Sequence, residues 1–316
     1  MSKAQRQPET LIDAIRYFAD PDTCIDFMVK MRWPDGVECP TCGSREVRYI
    51  STRRLWECKT KHAKRQFSAK VGTIFEDSPI ALDKWLATIW LLANSKNGVS
   101  SYEIARSIGV TQKTAWFMLQ RIRLAMQSQG GGKLSGSVEV DETYIGGSAR
   151  FMHKSKRPGG TGMVGKVAVM GLLARETGEF QYRIPESTRK ESLDPEVRRS
   201  IEAGSNVYTD ALGSYKYLND SYVHRVIDHA EKYAEGEVHT NGLENFWSLL
   251  KRAIKGTYVS VEPFHLFRYL DEQAFRFNNR KASDGGRFSA VTASTVGRRV
   301  TYKQLTGHGL PAGTVS

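Results

Sequence analysis

The stretch VEVDETYIGG, residues 138–147, combines a strand pattern with three acidic side chains. Val138 and Val140 alternate with polar residues as in a half-buried β-strand, and the two glycines indicate a turn at its end. A carboxylate on a buried strand face is unfavourable unless it is paired or holds a cation. The simpler interpretation of this window alone is that the acids lie on the solvated face of an antiparallel strand. Features elsewhere in the chain are needed to choose between a cation-binding site and a solvated strand face.

The composition is that of a globular protein with an excess of basic residues. The 316 residues include 46 Lys and Arg against 34 Asp and Glu, a net charge of +12. Such an excess favours a polyanionic partner, most often nucleic acid, although a solvated basic surface is an alternative. No window has the roughly 18 uninterrupted apolar residues of a membrane span, and the N-terminus lacks a secretory signal pattern. We therefore expect a cytoplasmic protein that does not contact membranes.

Changes in composition divide the chain into six segments. The polar, glycine-rich stretch QSQGGGKLSG (127–136) is the clearest linker, because it has nothing to bury. Helical patterns dominate before it, and short strands alternate with helices after it, which predicts a multi-domain α/β protein. The predicted segments are an N-terminal helical segment (1–35), a cysteine-bearing segment (36–76), a helical domain (77–127), the linker (128–136), an α/β domain (137–282) and a tail without assigned structure (283–316).

Three cysteines and a histidine have the spacing of a structural zinc site. Cys39 and Cys42, in CPTCG, are separated by two residues, so a tight turn can aim both sulfurs at one metal ion. Cys58 follows sixteen positions after Cys42, and His62, four positions later, could supply the fourth ligand. A redox pair and unrelated buried thiols are the alternatives. Cys24 lies in an apolar helical pattern, so we expect it to be a core thiol.

The stretch SSYEIARSIGVTQKTAWFMLQRIRLAM (100–126) predicts two helices joined by a turn at Gly109 and Val110, with Thr111 capping the second helix. An ordinary helical hairpin is one interpretation, and a DNA-binding helix-turn-helix is the other, which a neighbouring zinc module favours. The expected apolar core is Ile104, Ala105, Ile108, Val110, Ala115, Leu119 and Ile122. The residues expected on outward faces, available to phosphates or base edges, are Gln112, Lys113, Arg121 and Arg123.

Further acidic residues follow in the α/β domain. Asp210 ends the predicted strand NVYTD, and Asn241 and Glu244 begin a predicted helix three residues apart, which puts them on one face. Lys251 lies two turns beyond Glu244 on that face. Each acid alone has a structural alternative, because Asp210 could cap a helix and Glu244 could complement a helix dipole.

A strand acid, a strand-end acid and a helix acid in this order suit a ribonuclease H-like domain with a mixed central sheet. The convergent carboxylates of Asp141, Asp210 and Glu244 could hold two divalent cations about 4 Å apart. Mg²⁺, or Mn²⁺ in its place, suits such a site because it prefers oxygen ligands and keeps exchangeable waters. Glu139 and Glu142 are expected to point to the opposite strand face from Asp141, and they are left out of the predicted site.

Several separated motifs resemble bacterial insertion-sequence transposases of the DDE type. The chain is similar to the group with an N-terminal zinc ribbon, a helix-turn-helix and a ribonuclease H-like catalytic domain. The resemblance covers most of the chain, and its motifs occur in the order of that group. They are RWPDGVECPTCG (32–43), KRQFSAKVGTIF (64–75), VEVDETYIGG (138–147), HTNGLENFWSLLKRAIKGTY (239–258) and RYLDEQAFRFNNR (268–280).

The resemblance implies that Asp141 and Asp210 are the first two metal ligands. Relatives have either Asn or Glu as the third, and this chain offers both Asn241 and Glu244. Chemistry favours Glu244, because an amide oxygen adds no charge to balance two cations. Lys251 resembles the basic residue that contacts terminal DNA.

The resemblance also implies the reaction and the partners. The expected reaction is hydrolysis at the transposon ends, followed by attack of each 3′-hydroxyl on target DNA. We expect double-stranded DNA as partner, at least a homodimer on DNA, and association with the bacterial nucleoid. Arg252 is a further expected DNA contact, and the basic stretch 148–166, with Lys154, Lys156 and Arg157, could bind phosphates or be a solvated loop. Family members often have a second Cys-x-x-Cys pair in the zinc ribbon, at the place where this chain has Cys58 and His62.

Three other functions compete with the transposase hypothesis. A non-catalytic DNA-binding protein derived from a transposase would show no metal-dependent nicking. A ribonuclease H-like nuclease or resolvase would not need separate end-recognition modules. A metal-stabilised scaffold would leave the acidic residues unexplained.

Overall fold

The computed structural model describes residues 7–128, 131–146, 165–210, 215, 218–227, 240–259 and 261–306. They form two compact units, the first from Met1–Gln127 with Lys281–Ser316 and the second from Ser128–Arg280. In chain order the elements are α1 (Leu11–Tyr17), α2 (Pro21–Arg32), β1 (Val47–Ile50), β2 (Leu55–Cys58), β3 (Gln66–Phe67), α3 (Leu82–Asn94), α4 (Ser101–Ile108), α5 (Gln112–Met126), β4 (Ser137–Ile145), β5 (Val167–Ala174), β6 (Phe180–Arg183), α6 (Lys190–Ser200), β7 (Asn206–Asp210), β8 (Val223–Ile227), α7 (Asn241–Ala253), α8 (Leu266–Asn278), α9 (Asp284–Ala293) and α10 (Tyr302–Thr306).

Polar caps start the first two helices of the first unit. Thr10 and Asp13 form a capping box at α1, and the Asp20 carboxylate accepts from the Thr23 N–H at 2.8 Å at the start of α2. Phe18, at the C-terminal end of α1, packs against Phe27, in the middle of α2, with ring centroids 5.0 Å apart. These rings start the core of the first unit.

Helix α9 completes that core, although the sequence analysis assigned no structure to residues 283–316. Phe288 is buried, and its ring centroid lies 5.7 Å from that of Phe18 and 5.2 Å from that of Trp90. Arg287 Nε donates to Asn94 Oδ1 at 2.8 Å, across 193 positions of chain. The Gly-, Ser- and Thr-rich composition does not predict a helix, because the stability of α9 comes from these distant partners rather than from its own helix propensity.

The cysteine-bearing segment forms a small antiparallel sheet in the order β1-β2-β3. Trp56 on β2 packs against Phe67 on β3 and against Trp33, with ring centroids 6.2 and 6.1 Å apart. Because this sheet is too small to bury a large core, the aromatic cluster and a metal site are its natural sources of stability.

Helices α4 and α5 occur where the sequence predicts them. Ser100 and Glu103 form a capping box at α4, Gly109 ends it in the left-handed region at φ +63°, and the Thr111 hydroxyl accepts from the Thr114 N–H at 3.2 Å. Of the expected core residues, four are fully buried and three are partly buried. The buried ones are Ile104, Ala115, Leu119 and Ile122, and the partly buried ones are Ala105, Ile108 and Val110.

The second unit is built on a five-stranded mixed sheet in the order β6-β5-β4-β7-β8. Strands β4, β5 and β6 form an antiparallel meander, and β7 and β8 add in parallel to β4. The hairpin between β5 and β6 turns in the stretch RETGE (175–179), where Gly178 has φ +70°. Strand β4 is therefore central, with an antiparallel neighbour on one side and a parallel one on the other.

Each face of this sheet has its own apolar core. Val138 and Val140 pack on one face with Leu193 and Val197 of α6. Leu243 and other apolar residues of α7 and α8 pack on the opposite face. This mixed α/β architecture, with helices and a cysteine cluster in the first unit, confirms the predicted fold class and is consistent with a zinc ribbon and a ribonuclease H-like domain.

Candidate metal centres

Four metal-binding side chains converge at the three-stranded sheet. Cys39 and Cys42 come from a turn that Gly43 closes at φ +73°, with the Gly43 N–H donating to the Cys39 carbonyl at 2.8 Å. Cys58 ends β2, and His62 follows it in the next loop. The Cys39 Sγ lies 3.4 Å from the His62 Nε2, and all four ligand atoms lie within 4.8 Å of one another.

This donor set fits a structural zinc ion. Zn–S bonds of about 2.3 Å in a tetrahedron separate neighbouring sulfurs by roughly 3.8 Å, and the Cys42 and Cys58 sulfurs lie 3.7 Å apart. The Nδ1 of His62 lies 2.6 Å from the Ala63 carbonyl oxygen, a bond that directs Nε2 towards the sulfurs. The predicted Cys3His cluster is confirmed, and it supports one structural Zn²⁺.

Cys24 lies apart from this cluster, as expected of a core thiol. It is buried in α2, where its Sγ lies 3.2 Å from the Phe18 carbonyl oxygen. Burial raises the pKa of this thiol to about 12. Cys24 therefore stays a protonated, apolar part of the core.

Two acids of β4, Glu139 and Asp141, face helix α7. The Asp141 Oδ2 accepts from the Trp247 Nε1–H at 2.9 Å, and the Glu139 Oε2 accepts from the Leu243 backbone N–H at 3.1 Å. The expectation that Glu139 points away from Asp141 is wrong, because side chains two residues apart on a strand share a face. Glu142 alone lies on the other face. Glu139 is buried, with 1% of its surface exposed, whereas Asp141 is partly exposed.

Glu139 has partners at the end of β5 and on α7, besides its own strand. The Arg175 Nε donates to its Oε1 at 2.9 Å, and the Arg175 guanidinium carbon also lies 4.0 Å from the centroid of the Tyr208 ring on β7. Gly242 lets α7 approach, because a Cβ there would lie 2.9 Å from the Glu139 Oε2 and would also overlap the side chain of Leu173. The buried carboxylate thus joins β4, β5 and α7.

Strand β7 brings Asp210 next to the strand of Asp141. The parallel register pairs Val138 with Val207 and Glu139 with Tyr208. Asp141 and Asp210 each lie two residues beyond the last of these pairs, at the same level of neighbouring strands. The Asp210 backbone also pairs with Ile227 of β8, and its side chain lies outside the described part of the structure.

Helix α7 carries the remaining predicted site residues on its exposed surface. Asn241, Glu244, Lys251 and Arg252 are all exposed. Helical spacing puts Glu244 one turn before Trp247, and Lys251 one turn after it, along the flank of α7 that bonds to Asp141. The helix therefore bonds to the strand acid through one side chain and exposes a second acid and a base nearby.

Comparison with known proteins identifies two domains. A family model described as an ISXO2-like transposase domain matches residues 133–278, and one described as a transposase zinc-ribbon domain matches residues 19–60. The chain belongs to the insertion-sequence transposases with an N-terminal zinc ribbon. DNA is accordingly the partner of this transposase. Its zinc-ribbon match contains the three cysteine ligands and ends two residues before His62.

Two similar proteins agree with this assignment. The transposase is 29% identical over 252 residues to a protein in the transposable element ISH50 of Halobacterium salinarum, an alignment that covers 75% of this chain and 84% of that protein. It is 36% identical over 89 residues to a transposase-like protein of Haemophilus influenzae, covering 28% of this chain and 72% of that protein.

Two basic residues of the predicted helix-turn-helix do not face outward. Arg123 is 1% exposed, and Arg121 is partly buried, with its Nη1 donating to the carbonyl oxygens of Ile74 and Glu76 at 3.1 and 2.9 Å. Burial lowers the pKa of the Arg121 guanidinium. The expectation that these two arginines are available to DNA is wrong, whereas Lys113 is exposed in the first turn of α5.

Other expectations concern the basic loop and membranes. Lys154, Lys156 and Arg157 lie outside the described residues. Among the helices that the structure does describe, none is long and apolar enough to cross a membrane.

The sequence analysis did not include Glu139 in the site, although its two-residue spacing from Asp141 places both side chains on one face of the strand. Trp247 was missed for a different reason. Its sequence position indicates only a core aromatic, and its bond to Asp141 spans 106 positions.

Proposed function

We propose that this transposase is a DDE-type enzyme that cuts DNA at the ends of its insertion sequence and joins the freed ends to target DNA. The observation that carries the proposal is the meeting of β4, β7 and α7. The strand of Asp141 pairs with the strand that ends in Asp210, and Trp247 of α7 donates to Asp141. Strand β4 is thus bonded both to the strand that ends in Asp210 and to the helix that carries Glu244, which supports a shared site.

The donor chemistry of these elements suits hard divalent cations. Asp141 is partly exposed rather than enclosed in the apolar core, and Glu244 is exposed on the neighbouring flank of α7. Carboxylate oxygens are the ligands that Mg²⁺ and Mn²⁺ prefer. We propose Asp141, Asp210 and Glu244 as the ligands, with Asn241 as the alternative third one. Glu244 adds a negative charge that an amide lacks.

Each residue has a defined task in this scheme. When bound, two cations would activate the attacking oxygen and stabilise the leaving oxygen. In the first step water attacks the scissile phosphorus, the bond to the 3′-oxygen breaks, and that oxygen takes a proton to become a free 3′-hydroxyl. In the second step this hydroxyl attacks a target phosphodiester and displaces a target 3′-oxygen. Lys251 and Arg252, exposed on α7, would hold phosphates of the transposon end.

The first unit would recognise the terminal repeats. Lys113 lies in the first turn of α5, the part of a recognition helix that reaches base edges. The zinc ribbon adds a second module, and the net charge of +12 favours binding to a polyanion. Two transposon ends must be held together, so we propose that the active species is at least a homodimer on DNA.

The test is cleavage and joining of DNA that carries the ends of the element, with purified full-length protein and Mg²⁺. Asp141→Ala and Glu244→Ala should each lower the rate by about 10³-fold or more, since a lost ligand removes several kcal/mol of charge stabilisation. DNA binding, measured by mobility shift, should persist. Asp194→Asn, an acid on α6 paired with Arg198, is the matched control and should keep wild-type rates.

Two outcomes would change the proposal. If Asn241→Ala is inactive and Glu244→Ala is active, the third ligand is Asn241. If Asp141→Ala still cuts and joins DNA, the carboxylate site is not the catalytic centre. DNA binding by the wild-type protein without metal-dependent nicking would instead favour a non-catalytic DNA-binding protein.

A further inference from the structure

We propose that Glu139 and Trp247 are positioning residues, which fix helix α7 to strand β4 and thereby set the placement of Glu244 relative to Asp141. This inference rests on the proposed function, because it assigns to the two residues the alignment of the proposed metal ligands. Neither residue has to touch the cations or the DNA. Their role is to hold a helix at a defined distance from a strand.

The first connection lies at the start of α7. The Glu139 carboxylate accepts the Leu243 backbone N–H at 3.1 Å, one of the N-terminal amides that a helix cannot satisfy internally. A negative charge at this end also complements the helix dipole. Because Glu139 is 1% exposed, water cannot easily replace it as the acceptor.

The second carboxylate oxygen of Glu139, Oε1, has a partner outside α7. Arg175 donates to its Oε1 at 2.9 Å and stacks over Tyr208, which is buried on β7. The same carboxylate is therefore connected to β5 and, through Arg175, to the strand that ends in Asp210. A buried ion pair with this geometry fixes one arrangement of strands and helix, since any shift of α7 would separate the carboxylate from its partners.

The second connection lies one turn further along. The Trp247 indole donates to the Asp141 Oδ2 at 2.9 Å, while the Asp141 Oδ1 accepts the Glu142 N–H at 2.9 Å. These two bonds fix the orientation of the carboxylate plane. Outer hydrogen bonds of this kind orient metal ligands and raise metal affinity.

The two connections bracket the turn that contains Glu244. Leu243 precedes it directly and Trp247 follows it by three residues, so both ends of that turn are bonded to β4. A rigid helix converts these two fixed points into a fixed position for the Glu244 backbone. A purely structural role would stabilise the domain without affecting metal affinity, and the two roles can be separated by experiment.

The experiment compares Glu139→Gln and Trp247→Phe with wild type in the full-length protein. Glu139→Gln keeps the size of the side chain and removes its charge, and Trp247→Phe keeps an aromatic ring and removes the donor. Mn²⁺ binding is followed by the EPR signal of free Mn²⁺, on complexes with transposon-end DNA that lacks the 3′-hydroxyl. We expect each variant to weaken Mn²⁺ binding about tenfold and to lower kcat at saturating metal by a similar factor, with DNA affinity unchanged.

Tyr182→Phe is the matched control for loss of a buried donor in the same unit. Its hydroxyl donates to the Phe267 carbonyl oxygen at 3.1 Å and to Asp271 on α8 at 2.7 Å, rather than to a proposed metal ligand, so this variant should lower Tm without changing Mn²⁺ affinity. Turnover is expressed per folded molecule, with the folded fraction taken from near-UV circular dichroism.

The outcomes separate this inference from the proposed function. If Glu139→Gln and Trp247→Phe change only Tm, as Tyr182→Phe does, the positioning role is overturned while the proposed site stands. If Asp141→Ala neither weakens Mn²⁺ binding nor slows cleavage, the proposed function itself fails.

Discussion

The zinc centre and the proposed carboxylate site reach their geometry by different routes. The zinc ligands span 23 positions of chain, in two turns of a small sheet. The carboxylate site depends on a strand and a helix whose bonded residues, Asp141 and Trp247, lie 106 positions apart. The first site is set by local turns and the metal ion, and the second by the register of a large sheet and the docking of a helix on it.

This difference determines what each site tolerates. A small sheet with few core residues depends on its metal ion for stability, so the loss of any one ligand should unfold it. The sheet of the second unit has an apolar core on each face, so we expect it to fold without a cation. The loss of a carboxylate there should affect chemistry and leave the fold intact.

The largest effect is expected from Cys58→Ser. The variant should lose zinc and the fold of residues 36–76, because zinc binding contributes roughly 10–16 kcal/mol in zinc-finger peptides. Metal analysis should find less than one zinc ion per chain, and binding to transposon-end DNA should be lost. Cys24→Ala, a change at a buried cysteine outside the zinc cluster, should keep the zinc and cost about 1 kcal/mol. A fully zinc-loaded Cys58→Ser protein would contradict the ligand assignment.

Gly242→Ala should have the next largest effect, and it tests the docking of α7. Its Cβ would overlap Leu173 and lie 2.9 Å from the Glu139 Oε2. We expect a loss of about 1–3 kcal/mol in the free energy of unfolding, more than the gain of about 1 kcal/mol in helix propensity. Urea denaturation measures the change. Gly256→Ala is the control, since a Cβ there would meet nothing within 4 Å, and equal destabilisation by both variants would argue against close docking.

Lys113→Ala tests the first unit as the DNA-recognition module. The lost charge should weaken binding to the terminal repeat by roughly 3- to 10-fold and reduce the salt slope of the binding constant by about 1. Fluorescence anisotropy at several salt concentrations measures both. Lys30→Ala removes the same charge from an exposed position on α2 and should change neither. Identical losses in the two variants would indicate a non-specific charge effect.

The smallest effect concerns pH and strand β8. Burial lowers the pKa of His224, whose Nε2 lies 2.8 Å from the Thr209 hydroxyl beside Asp210. A lowered pKa means that the unfolded chain binds the proton more readily. The stabilising contribution is therefore complete above the unfolded value of about 6.5 and decreases as the pH falls towards the folded pKa.

We expect the Tm of the second unit to fall by no more than about 2 °C from this group between pH 7 and pH 5, because the ring is partly exposed and solvent screens its charge. Differential scanning calorimetry of wild type and His224→Gln would measure it. A wild-type curve no steeper than that of the variant would show that His224 contributes nothing to the pH dependence.

The sequence reveals local features more readily than features that depend on docking. The Cys3His cluster was predicted from the spacing of its residues, and Asp210 was predicted at the end of a strand from the local strand pattern. Arg123 was predicted to face outward because it is charged. Its position predicts burial, since it directly follows Ile122 and lies four residues after Leu119 on the buried face of α5. Helix α9 could not be predicted, because Phe288 is explained only by partners from the distant N-terminal helices.

The position of α9 in the chain has a consequence for the order of folding during synthesis. Phe288 belongs to the core of the first unit but is translated after all of residues 128–280. When the ribosome has completed the zinc ribbon and α5, the core around Phe18 and Trp90 still lacks this aromatic ring. The second unit, continuous in the chain, can fold in the meantime. A nascent transposase therefore acquires its complete first unit only after the whole second unit has been translated.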